Sequence, residues 1–188
     1  MSNQHIDQLA GIYEHTGTVI GKVNEDHLDL PTPCTEWNVR ELLNHTIGVM
    51  FGIAAGVSGQ STPEGEPPDF TAGDGAAAAF EQAKQASLAA WGADGVFDGT
   101  VNFGAGDMPA QVGIGINMLD TLTHAWDLSE ALGQDRSMDP ELAEASLAAA
   151  RMTVSDDIRA GRFAPEVEIA DDAPAHDRLA AFLGRHPS

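Results

Sequence analysis

Apolar residues recur along this chain at three- and four-residue intervals, and the strict alternation of a half-buried strand is nearly missing. From about Asn3 to His27, Ile6, Leu9, Ile12, Tyr13, Val19, Ile20 and Val23 form one helical stripe. Pro31 and Pro33 then forbid continuation, because proline lacks the amide proton and clashes with the preceding turn. A second helix is predicted from near Asn38 to about Val57, with Val39, Leu43, Ile47 and Met50 on one face. Asn38 and Glu41 have the spacing at which each side chain accepts the other's backbone N–H, which is how many helices start. Alanine-rich Ala76 to Trp91 reads as a third helix, and the glycine-punctuated stretch after it has room for a short hairpin through Val96–Val101. Asp107 and Pro109 are read as opening a fourth helix, which Gly133 closes. Asp139–Pro140 opens a fifth, expected to reach Gly161, and a last short helix is expected from roughly Pro174 to Leu183.

Four long helices with one or two accessory ones, and that hairpin, make the expected fold all-α: a four-helix bundle forming one domain over residues 1–188. Ser58 to Gly75 shifts to Gly, Ser, Pro and acids and is expected to be a mobile surface connection rather than a domain boundary. Composition narrows the partners. With 29 acidic against 9 basic residues and a formal charge of -20, the chain repels phosphate backbones and anionic lipid heads, so neither nucleic acid nor membrane is an expected partner. One cysteine, Cys34, excludes an internal disulfide framework, and the absence of a leader-like or long apolar run gives a cytoplasmic expectation.

Candidate chemistry lies in D-T-L-T-H-A-W-D-L, Asp120 to Leu128, where a carboxylate and an imidazole four residues apart share one helix face. His45 on the second helix, followed by Gly48, Gly52 and Gly56 along the same side, is the best further donor. If the second and fourth helices are neighbours, His45, Asp120 and His124 supply two imidazoles and one carboxylate and leave coordination positions open, as catalytic metal sites do. The bland alternative is strong. A wheel of the fourth helix gathers Asp120, Thr123, His124 and Asp127 into one polar strip, most simply its solvated face, and His45 alone is most simply a satisfied helix-flank histidine. His5, His15, His27, His176 and His186 lie in polar or terminal surroundings and are expected to face solvent. Cys34 is expected to be a small buried residue rather than a nucleophile, and Gly104–Asp107 lacks the lysine of a phosphate loop.

P-C-T-E-W-N-V-R-E-L-L-N-H from Pro33 to His45, D-T-L-T-H-A-W-D-L-S-E-A-L-G-Q from Asp120 to Gln134, and the closing D-D-A-P-A-H-D-R-L-A-A-F-L-G-R to Arg185 resemble an actinobacterial metal-binding family. That family is related to the mycothiol-dependent maleylpyruvate isomerase, within the wider DinB-like bundle superfamily. The resemblance implies a divalent metal ion, zinc first, held by His45, Asp120 and His124, with Asp127 orienting a neighbouring imidazole. Aspartate stands where the isomerase pattern has glutamate, so this helix would have to approach the metal more closely or bind it through water. Implied with the metal are a low-molecular-weight thiol such as mycothiol and a small electrophilic substrate, in a thiol-dependent transferase or isomerase reaction. A separate C-terminal domain is not expected, so isomerase activity itself is not carried over. The competing class is a non-catalytic binding or dimerisation module on the same scaffold, and a homodimer is compatible with either.

Overall fold

The structure, a computed structural model, describes residues 2–61, 68–73, 75–104, 106–160 and 163–187. Seven α-helices are seen among them: α1 (Ser2–Ile20), α2 (Val39–Val57), α3 (Gly75–Trp91), α4 (Ala110–Ala131), α5 (Pro140–Thr153), α6 (Asp156–Arg159) and α7 (Ala175–Phe182). A two-stranded antiparallel ribbon, β1 (Thr100–Val101) with β2 (Met108–Pro109), precedes α4. The fold is the expected all-α bundle with accessory elements.

Local chemistry explains where the boundaries differ from those read in the sequence. α1 stops at Ile20 instead of running to His27, because Asn24 caps a separate 3-10 turn, Glu25–His27, its side chain accepting from Asp26 N–H. The hairpin falls later than expected: Val96–Asp98 is a 3-10 turn, and Pro109 belongs to β2 and caps α4 rather than lying within it. Asp107 is no helix cap, since its Oδ1 accepts from the Asn102 amide at 2.8 Å across the hairpin. Past α5 the chain breaks at Val154, where Ser155 starts α6 by accepting from Ile158 N–H. Gly161, where the fifth helix was expected to end, lies outside the described residues, as do residues 62–67 and 74 of the expected mobile connection. Its described part is pinned to α2: Asp69 Oδ1 accepts from Asn44 at 3.1 Å, and the Phe70 ring stacks on Phe51. Gly133 does close α4, with its own N–H on Glu130 O and that of Gln134 on Ser129 O.

Two apolar clusters share α4 as a common wall. Leu43, Ile47, Met50, Trp91 and Ile114 build one with α1, α2 and α3; Leu122, Leu147, Leu179 and Phe182 build the other with α5 and α7. As a result every residue from Thr121 to Ser129 is buried, polar ones included. Between α1, α3 and α4 lies a polar knot: Tyr13 and Trp91 donate to Asn117 Oδ1 at 2.9 and 3.1 Å, while the Ser87 hydroxyl lies 2.7 Å from the phenol oxygen. The glycine row of α2 serves the chain itself. A Cβ on Gly56 would meet Asn102 O at 2.4 Å and Phe103 Cβ at 2.8 Å, so only glycine lets the hairpin lie against this helix, and Gly48 faces Phe70.

Two outcomes are expected from this packing. Gly56→Ala should destabilise the fold by about 1–3 kcal/mol in urea unfolding, since backbone and not a flexible side-chain end must move. Tyr13, the one tyrosine, is fully buried, and burial pushes its pKa up to about 12. A group whose folded pKa is raised loses its contribution as pH climbs from the unfolded value to the folded one. Phenolate absorbance should therefore appear near pH 12 in the folded protein, with about 3 kcal/mol of stability lost between pH 10 and 12 and spared in Tyr13→Phe.

Candidate metal centre

The linker before α2 is held in a fold-back that presents Trp37 to the site. Thr32 Oγ1 meets the carbonyls of Trp37 and Cys34 at 2.7 and 3.1 Å, and Val39 N–H donates to Leu30 O. The Asn38–Glu41 exchange is present in both directions at 2.9 Å, so α2 starts where its sequence says and sets His45 two turns in. Trp37 then covers His45, its ring 4.3 Å from the imidazole, and reaches to 5.9 Å from His124.

α2 and α4 are neighbours, and the three sequence-predicted residues meet between them. Asp120 Oδ1 lies 3.6 Å from His45 Nε2 and 3.7 Å from His124 Nε2. A tetrahedral centre with bonds of about 2.1 Å separates its donors by about 3.4 Å, so the spacing suits a small divalent cation. Asp120 Oδ2 is buried and has no hydrogen-bond partner among the described residues, a costly state for a carboxylate oxygen. Burial works against ionising Asp120, but His124, His45 and Arg185 outweigh it and hold the carboxyl below the usual range. The side chains of His45 and Asp120 are 29% and 23% exposed and that of His124 8%, so the group opens to solvent on the His45 side.

Behind His124 stands a chain of charge. Asp127 Oδ2 lies 3.0 Å from His124 Nδ1, and Arg185 closes on both Asp127 oxygens, Nε to Oδ1 at 3.0 Å and Nη2 to Oδ2 at 2.8 Å. Burial opposes the charge on Asp127, and the bonds from His124 and Arg185 overcome it, leaving its pKa lowered. In a neutral imidazole the Nδ1 proton then belongs between His124 and Asp127, and the Nε2 lone pair is free for the triad. Cys34, His124 and Asp127 also cluster within 4.8 Å. That second group already holds its cation, because the same guanidinium nitrogen touches Cys34 Sγ at 3.5 Å. Burial, with Asp127 nearby, pushes the Cys34 thiol up, against the pull of Arg185, so it is partly buried and no activated nucleophile.

The polar strip of α4 is not its solvated face. Thr123, His124 and Asp127 are buried, because the α5–α7 layer covers the side that a lone amphipathic helix would show to water. Nor do the other histidines simply face solvent. His186 is exposed, while His5, His15, His27 and His176 are partly buried by neighbouring elements, and burial lowers the pKa of His15 and His176. Two residues of the site were not assigned a role from sequence: Trp37, inside P-C-T-E-W, and Arg185, the last residue of the closing motif.

Residues 12–129 match the family described as the mycothiol maleylpyruvate isomerase N-terminal domain, a span that contains all three candidate ligands. Uncharacterised proteins from two strains of Mycobacterium tuberculosis, CDC 1551/Oshkosh and H37Rv, are each 38% identical over 169 residues, covering 89% of this chain and 90% of theirs. No solved structure matches the chain. Motifs, bundle and profile converge, and the chain belongs to the mycothiol maleylpyruvate isomerase N-terminal domain family.

Proposed function

We propose that this protein holds one divalent metal ion, zinc first among candidates, through His45 Nε2, Asp120 Oδ1 and His124 Nε2, and acts as a thiol-dependent transferase or isomerase on a small electrophile. The observation that carries the reading is the convergence of these three donors about a carboxylate whose second oxygen is buried without a partner among the described residues. A metal bound there would supply positive charge that favours the ionised form of a thiol or of water. The chain's own residues do the rest. Asp127 and Arg185 hold the His124 ring by its far nitrogen, Trp37 packs over His45 and limits water, and the solvent-open edge beside His45 is where a small thiol such as mycothiol would enter. Cys34 is poorly suited to be the nucleophile, which supports an external thiol. Family membership supports the same chemistry, and the cytoplasm, where such thiols are kept reduced, is the compartment that suits it. No helix among the described residues is long and apolar enough to cross a membrane.

Purified untagged protein should carry about one equivalent of metal by elemental analysis, lost in His45→Ala/His124→Ala. Zinc at a hundredfold excess over its Kd should stabilise the fold by about 2.7 kcal/mol, raising the melting temperature by about 5–10 °C, and EDTA should reverse it. With thiol and metal present, a chlorinated aromatic should be turned over, a C–S bond forming as chloride leaves, and the double variant should be inactive. Protein that binds no divalent ion below millimolar concentration would sink the metal reading. Metal bound without turnover of any electrophile would instead favour a non-catalytic binding or dimerisation module on the same scaffold.

A further inference from the structure

We infer that Arg185 is a positioning residue for this centre: acting through Asp127, it fixes the His124 imidazole, and so makes docking of the C-terminal segment part of the protein's metal affinity. The inference rests on the metal reading above and concerns a residue 58 positions beyond the carboxylate it holds.

Arg185 is committed inside the protein. Its Nε and Nη2 serve Asp127, Nη2 also meets Cys34 Sγ, and Nη1 donates to Leu183 O, while the residue as a whole is 7% exposed. Its one charged partner among these is Asp127, which is fully buried. Both Asp127 oxygens accept from the guanidinium, so the remaining contact, Oδ2 to His124 Nδ1, is also made as an acceptor. That contact turns Nε2 of His124 toward Asp120 Oδ1 and His45. A planar fork with two parallel donors sets the carboxylate plane as a point charge cannot.

The fork is delivered by the C-terminal segment. Arg185 N–H donates to Ala180 O, Leu183 is fully buried in the second cluster, and Trp126 Nε1 of α4 donates to Asp177 Oδ1 of α7 at 3.0 Å. One helix thus carries a metal-facing histidine, the carboxylate behind it and the tryptophan that pins α7. Because the two events share these contacts, whatever loosens the segment loosens the ligand, and metal binding favours the docked segment by the same factor.

The test compares wild type, Arg185→Met, Arg185→Lys and a control, Phe80→Leu, which weakens the α1–α3 packing away from the triad. Each full-length protein is titrated with zinc against a chromogenic chelator, and its cobalt form is examined by visible absorption. Arg185→Met should weaken zinc about 10- to 100-fold. Arg185→Lys, which keeps the charge but not the fork, should fall between it and wild type with altered cobalt bands. Phe80→Leu should lower the melting temperature yet keep zinc affinity within about twofold and the cobalt spectrum unchanged, separating positioning from general loss of stability. Should Arg185→Met fail to fold, Arg185→Lys decides. Arg185 variants that bind zinc as wild type does overturn the inference and leave the metal reading standing; wild type that binds no metal removes both.

Discussion

The C-terminal half of helix α4 has no free side. With one apolar cluster against one flank and a second against the other, nine consecutive residues from Thr121 to Ser129 are sealed from water, and the polar ones among them must find partners inside the protein or weaken it. Most of the specific polar geometry follows from that constraint. Asn117 collects donors from α1 and α3, Trp126 donates into α7, and Asp127 takes both His124 and the guanidinium of Arg185. Four buried polar atoms of α4, Asn117 Nδ2, Asp120 Oδ2, Thr121 Oγ1 and Ser129 Oγ, are left with no partner among the described residues, and Asp120 is the one carboxylate among them.

The sequence made the helices legible through their 3.6-residue periodicity, and the starts of α2 and α5 through side chains that cap their own backbones, Asn38 and Asp139. Less legible were places where two local signals compete. Pro109 can open a helix or edge a strand, and only the pairing of Val101 with Met108 decides that it does the latter while capping α4. Ser155 ends one helix by starting another, which periodicity alone does not register. At the site, the spacing of Asp120 and His124 gave the pair, but the same spacing described a solvated strip, and a helical wheel cannot say how many layers will pack on a helix. Family resemblance supplied what periodicity lacked. Arg185 escaped because its partner is 58 residues away and nothing local distinguishes a buried arginine from the other surface cations.

Charge on the whole molecule and charge at the centre act in the same direction. A surface with 29 acids and 9 basic residues raises the local concentration of cations and lowers that of anions. The centre adds one carboxylate with a free oxygen and two imidazoles, while the arginine closest to it is turned inward and neutralised by Asp127. A small cation therefore meets attraction at every scale, and an anionic thiol or substrate meets it only once positive charge is in place.

The Arg185–Asp127 bond also bears on how the protein comes to exist. Synthesis runs from the N-terminus, so His45, Asp120, His124 and Asp127 all leave the ribosome before the residue that neutralises Asp127. At about 5–20 residues per second, the carboxylate waits several seconds for its counter-charge. During that interval α4 can pack against α1, α2 and α3, but its other flank, with Leu122, Trp126 and Asp127, has nothing to cover it until α5 and α7 arrive. The earlier-made part of the chain thus carries the candidate ligands, and the last-made part completes their surroundings.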